Sequence, residues 1–155
     1  MQFQNILWRY RINLIERIII KLFKEIKMDR LKRNNIIYWV LTLILMVPGA
    51  GGGAVELFTN GPEPIVLIMK QLGYPLYLMK ILGFAKILGG TAILSGRVPK
   101  LKEWAYAGFA INFLGATASH VLAGDSLHAL FPFIFFITLM ASYFLWQKTE
   151  VTPLS

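Results

Sequence analysis

Residues 76–94 read Leu-Tyr-Leu-Met-Lys-Ile-Leu-Gly-Phe-Ala-Lys-Ile-Leu-Gly-Gly-Thr-Ala-Ile-Leu, with Pro75 before them and Ser95 and Gly96 after. A helix of this length rises about 28 Å, close to the roughly 30 Å of hydrocarbon in a bilayer. Most of its positions are aliphatic, so no polar face is reserved for water. Gly83, Lys86 and Gly90 share a single face. An ionised side chain at the bilayer centre costs at least about 2.5–3.5 kcal/mol, so Lys86 must turn toward other helices or a wet cavity. One buried cation on a narrow stripe of small residues thus predicts a transmembrane helix in a bundle.

Three further stretches have the same character: residues 36–58, 104–122 and 130–146. Turn chemistry separates them, in Thr59-Asn-Gly-Pro-Glu-Pro, Ser95-Gly-Arg-Val-Pro-Lys and Ala123-Gly-Asp-Ser. The chain has 155 residues, room for one domain, and is 56% hydrophobic. Its mean hydropathy of +0.58 exceeds what a water-soluble core this small can absorb. The expected fold is all-α, an integral membrane four-helix bundle with an N-terminal amphipathic basic segment. Residues 1–33 form that segment or an extension, 34–148 the four-span domain, and 149–155 a tail. A short amphipathic helix, Ile65 to Leu72, is expected on the membrane surface between the first two spans.

The net charge of +8 is unevenly placed, since more than half of the 16 Lys and Arg precede Asn34. Ile15, Ile18, Leu22 and Ile26 recur at helical spacing among Arg17, Lys21, Lys24 and Lys27. This pattern fits a membrane surface bearing anionic lipid, and no nucleic acid is expected as a partner. Arg97, Lys100 and Lys102 crowd the second connection, which, with the basic amino terminus, places that connection and both termini in the cytoplasm. Trp39, Trp104 and Trp146 fall at the same predicted interface. The predicted location is the cytoplasmic (inner) membrane. The run Ile18 to Ile20 is too short for a signal-peptide core. With no cysteine, disulfides, thiolate metal sites and thiol relays within the chain are excluded.

Polar residues inside the spans are the candidates for chemistry. In the first span Gly49 and Gly53 form a small-xxx-small pair with Glu56 a turn further on, and Pro48 is expected to kink the helix. In the third, Gly108, Asn112, Gly115 and Ser119 form a stripe expected to pack inward, bordered by His120. Depth counting puts Lys86 and Asn112 near mid-membrane, Glu56, Lys80 and His120 toward the outer leaflet, and Asp125 and His128 just beyond. The predicted arrangement is one intrabundle polar pocket of Glu56, Lys80, Lys86, Asn112, Ser119, His120 and Asp125, open to the outer side. It reads either as an ion pair and amide clasp fixing helix register, or as a site for a small polar ligand, quinone head group or proton relay. Metal binding is not expected, because the donors lack ligand spacing, and two histidines toward one face argue against haem bridging. Ser142 and Thr138 are expected to bond the backbone.

The stretches Gly73-Tyr-Pro-Leu-Tyr-Leu, Leu82-Gly-Phe-Ala-Lys-Ile-Leu-Gly-Gly, Leu101-Lys-Glu-Trp-Ala-Tyr-Ala-Gly-Phe and Gly115-Ala-Thr-Ala-Ser-His, followed by Gly124 and Asp125, occur in this order. From about Asn34 to Lys148 the chain resembles the DoxX-like family of small bacterial membrane proteins. The resemblance implies a four-helix bundle in the cytoplasmic membrane, with Lys86, His120 and Asp125 on family motif positions. The family name derives from similarity to a membrane subunit of a thiosulfate:quinone oxidoreductase, which makes quinone the implied cofactor by analogy of fold. Three functions follow as expectations. The first is an accessory or small-molecule-binding membrane component, not an enzyme on its own, whose polar pocket binds a small molecule or supports a partner subunit. The others are a quinone-linked redox subunit with a redox partner, and a small proton-coupled transporter, which would need to form a homo-oligomer.

Overall fold

The computed structural model describes residues 2–59 and 61–150, and the elements in them are all helical: α1 (Gln2–Met46), a π-helical turn (Val47–Gly51), α2 (Gly52–Phe58), α3 (Glu63–Gln71), α4 (Tyr77–Ser95), α5 (Pro99–Leu122) and α6 (Ser126–Glu150). The tail beyond Glu150 lies outside the described residues.

No glycine or proline occurs between Gln2 and Met46, and the 45 residues of α1 form one helix. At 1.5 Å per residue it is about 68 Å long, more than twice the hydrocarbon thickness. The basic segment therefore runs without a break into the first span, and no turn marks residue 33. Ile15, Ile20 and Phe23 along it are more than half exposed. The kink expected at Pro48 takes the form of the π turn: proline has no N–H to bond back to Ile44, and the widened turn absorbs the loss. The short helix expected between the first two spans is present as α3, opening at Pro62 with Glu63 in its first turn and Lys70 in its last, as the helix dipole favours.

Four long elements close a ring. The α1–α2 rod packs on α4 and α6, and α5 packs on the same two from the other side. Gly53 and Gly83 make the closest approach: a Cβ on Gly53 would stand 2.8 Å from the Gly83 carbonyl oxygen, and one on Gly83 2.6 Å from the Gly53 oxygen. Gly90 likewise meets Ala50, so the small faces of the first and second spans do pack together. The stripe on the third span does not. A Cβ added at Gly108 or Gly115 would meet nothing within 4 Å. The inward face of α5 belongs instead to Tyr106, Phe109, Phe113 and His120, whose larger side chains fill the interior at the same helical period.

The core is aromatic and aliphatic, built on Tyr38, Leu45, Met46, Ile93, Phe109, Phe113, Leu139 and Trp146. Tyr106 and Trp146 stack at 5.8 Å between centroids. Outside it the molecule is apolar rather than charged: Ile36, Leu43, Ile81, Phe84, Ile111, Ile134 and Phe144 are all more than half exposed. That distribution suits hydrocarbon. Among the described residues three stretches, Ile15–Phe58, Tyr77–Ser95 and Ser126–Thr149, are long and apolar enough to cross a membrane. The helix α5 is not among them, because Asn112, Ser119 and His120 dilute its apolar run, although it is of spanning length. The chain is an all-α membrane helical bundle.

Candidate functional site

Glu56 follows Gly53 by one turn on α2, and Lys86 follows Gly83 by one turn on α4. Because the glycine pair brings the two backbones together, these side chains meet directly. Lys86 Nζ donates to Glu56 Oε1 at 2.7 Å and Oε2 at 2.9 Å. Their side chains are only 17% and 11% exposed. Each charge is thereby neutralised inside the bundle, the condition under which a bilayer tolerates it.

Lys86 also lines a cavity of about 190 Å³ between α4 and α5, with Leu82, Gly89, Trp104, Phe109 and Asn112 around it. Asn112 thus shares a cavity wall with Lys86. Among the described residues its amide has no hydrogen-bond partner, so it is not a clasp between helices within the chain. The wall consequently offers an uncommitted donor and acceptor beside an ammonium already held by its counter-charge.

The remaining predicted site residues form separate groups. Lys80 Nζ donates to the backbone oxygens of Leu57 and Thr59, capping the C-terminal end of α2. Ser119 Oγ bonds Tyr74 Oη at 2.5 Å and Gly115 O at 2.8 Å, tying α5 to the segment after α3. At the end of α5, Gly124 takes a left-handed φ of 78°, which folds Asp125 back so that its N–H bonds the His120 carbonyl. Asp125 then bridges two imidazoles, with His128 Nδ1 at 2.6 Å and His120 Nδ1 at 3.3 Å. The His128 hydrogen bond holds the Asp125 carboxyl below its ordinary value, against a smaller opposing effect of burial. The single pocket expected from the sequence is therefore three groupings: the Glu56–Lys86 pair with Asn112, the Lys80 cap, and the His120–Asp125–His128 cluster beside Ser119. Among the described residues no group of three or more His, Cys, Asp or Glu side chains could hold a metal ion.

Two buried polar arrangements go beyond the sequence expectations. Ser142 Oγ lies 2.8 Å from Thr42 Oγ1 and 2.9 Å from Tyr106 Oη, joining α1, α5 and α6 in the core, whereas Thr138 bonds the backbone at Ile134 as expected. Lys102, a loop cation by sequence, is 4% exposed, its ammonium 4.4 Å from the Trp146 ring and 5.0 Å from that of Tyr38. Trp146 is accordingly a core residue rather than part of an interfacial belt, while Trp104 is 80% exposed. The sequence signal for both is the four-residue spacings Tyr38–Thr42, Lys102–Tyr106 and Ser142–Trp146, which place them on inward faces.

Compared with known proteins, residues 40–142 match a family model described as the DoxX-like family. No curated protein and no solved structure matches the chain.

Proposed function

The chain belongs to the DoxX-like family, and from that premise we propose that it is a membrane component that binds a small molecule, or the head group of a larger one, in the cavity beside Lys86. The observation that carries this reading is the combination at that cavity of a neutralised Lys86 and an unpartnered Asn112 amide. An amide left alone at mid-membrane depth is costly. A bound acceptor or donor removes the cost. At about 190 Å³ the space is below the roughly 300–1,000 Å³ of pockets for drug-sized ligands, so it suits one ring or a short polar group.

A second reading is supported by the walls of the same cavity. Trp104 and Phe109 flank the space, and a planar quinone ring fits aromatic neighbours and an amide donor. Asn112 would hold a quinone oxygen and Lys86 would set the local potential. Bound quinone would supply the electron-carrying chemistry, with a partner subunit as donor. In keeping with both readings, we place the protein in the inner membrane, with the basic amino terminus and the α4–α5 connection in the cytoplasm.

Native mass spectrometry of the detergent-purified protein tests the proposal, with Asn112→Leu and Lys86→Met alongside. A small molecule retained by the parent and lost from Asn112→Leu, with helicity unchanged, is the expected result. A quinone as that molecule would select the redox reading. Identical phospholipid profiles in parent and variants would overturn both.

A further inference from the structure

Along α1, Ile15, Ile19, Leu22 and Ile26 follow one another at spacings of four, three and four residues. Beyond Asp29 and Arg33 the same alternation resumes with Ile36, Val40 and Leu43. This is the a/d repeat of a coiled coil, with Ile15, Leu22, Asp29, Ile36 and Leu43 at d and Ile19, Ile26, Arg33 and Val40 at a. Every apolar member of the seam is exposed. The residues that α1 turns to its own bundle, Tyr38, Thr42 and Leu45, lie on the other side of the helix. Such a stripe is covered either by a lipid surface or by another helix. A helix lying on the membrane needs a bend where it meets the first span, and α1 is one unbroken helix of 45 residues. At about 68 Å it exceeds the roughly 30 Å of hydrocarbon more than twofold, so its first half stands clear of the bilayer and carries Ile15 to Ile26 into water. Apolar side chains in a row there favour a partner that removes them from it.

The charges around the seam say which partner. Arg17, Lys21, Lys24 and Lys27 occupy b, c and f positions, the flank that stays in water, with Ile20 among them, whereas Ile18 and Phe23 at g and e widen the apolar face. Glu25 stands at g and Arg30 at the e position five residues on. Copies inserted in the membrane with the same orientation can set their α1 helices side by side only in parallel. In that register each Glu25 meets Arg30 of the partner subunit, twice by symmetry. The two polar seam positions, Asp29 and Arg33, are one turn apart and opposite in sign, so the layer they form carries no net charge and penalises any slip along the seam. A basic helix is thereby made complementary to itself. We propose that the chain dimerises through α1, a second copy covering Ile15 to Ile26 in a parallel coiled coil that continues along Ile36, Val40 and Leu43 into the membrane.

The test is disulfide cross-linking of the full chain in isolated membranes, where the absence of native cysteine leaves no background. Leu22→Cys places a thiol at a d position, which faces its own copy across a parallel seam, and Lys24→Cys places one on the outer flank; both sites are exposed, so neither change disturbs the bundle. On oxidation Leu22→Cys should give a species of twice the chain mass and Lys24→Cys should not. Glu25→Lys added to Leu22→Cys should lower the cross-linked fraction about fivefold by opposing Arg30 of the partner subunit, and Arg30→Glu on top of it should restore the parent value. Equal cross-linking at the two thiols, or none at either, would mean that α1 meets lipid or solvent there and would overturn the dimer. A Leu22→Cys product indifferent to the charge reversal would overturn the register. A disulfide between Leu22→Cys and a protein of another mass would assign the seam to a different partner and overturn the second copy.

Discussion

At the scale of single residues, the Glu56–Lys86 pair shows how much depends on keeping both partners. Glu56→Gln leaves the Lys86 ammonium in a mostly buried site with no counter-charge. Removing one member of a buried pair typically costs about 3–5 kcal/mol, whereas replacing both by apolar residues is often neutral. Glu56→Gln should therefore lower the thermal midpoint in detergent sharply, and Glu56→Leu combined with Lys86→Met should recover most of the loss. A double variant as unstable as the single one would show that the pair is not what the ammonium depends on. Asp125 gives a prediction in pH. Its carboxyl is held below the ordinary range chiefly by the His128 hydrogen bond, so the charged form is favoured in the folded state. The stabilisation is then present above the unfolded value near about 4 and is lost as pH falls through the lower folded value. In melts from neutral to strongly acidic pH, the advantage of the parent over Asp125→Asn should disappear below that range; an advantage that persists there would show that the carboxylate is not its source. The pairing of Glu56 with Lys86 is legible from spacing, since each follows its glycine by one turn. The isolation of the His120–Asp125–His128 cluster is not, because it depends on the left-handed Gly124 turn folding Asp125 back under His120.

At the scale of elements, glycines in this chain do two different things, and a stripe in the sequence does not say which. A Cβ on Gly83 would be crowded from three directions, at 2.6 Å from Gly53 O, 3.1 Å from Leu57 N and 3.2 Å from Glu56 Cβ. Backbone cannot rotate out of the way. Gly83→Ala should thus push α2 off α4 and cost about 1–3 kcal/mol, with the Glu56–Lys86 pair loosened in the same step. Gly115→Ala, facing open space, should leave stability unchanged or slightly raised, since alanine is the better helix former. Parallel thermal melts decide between them, and equal losses would mean that α5 is covered by a neighbour on that face. The stripe on α5 fails to predict the packed face for a physical reason: small residues and aromatic residues recur there at the same period on different faces. Which face turns inward is decided by the volume that the interior has to fill, here by Tyr106, Phe109 and Phe113.

At the scale of the whole molecule, the four-span arrangement turns on α5. Its neighbours α4 and α6 are apolar enough to cross a bilayer by themselves, and α5 is not. It nonetheless returns antiparallel along α4 after the short connection 96–98 and packs against α6 over its length. A helix so placed shields its polar positions from lipid: His120 is buried, and Asn112 faces the cavity with Lys86. Marginal hydropathy in α5 is thus compatible with crossing, provided its neighbours insert with it. The absence of cysteine makes this directly measurable, because single introduced thiols have no background. Glu63→Cys and Ser126→Cys should be labelled by an impermeant maleimide from outside intact cells, and Lys100→Cys only after the membrane is opened. The pair flanking α5 carries the decision. If Lys100→Cys and Ser126→Cys react from the same side, α5 does not cross, the bundle has three spans, and the amino and carboxyl termini lie on opposite faces.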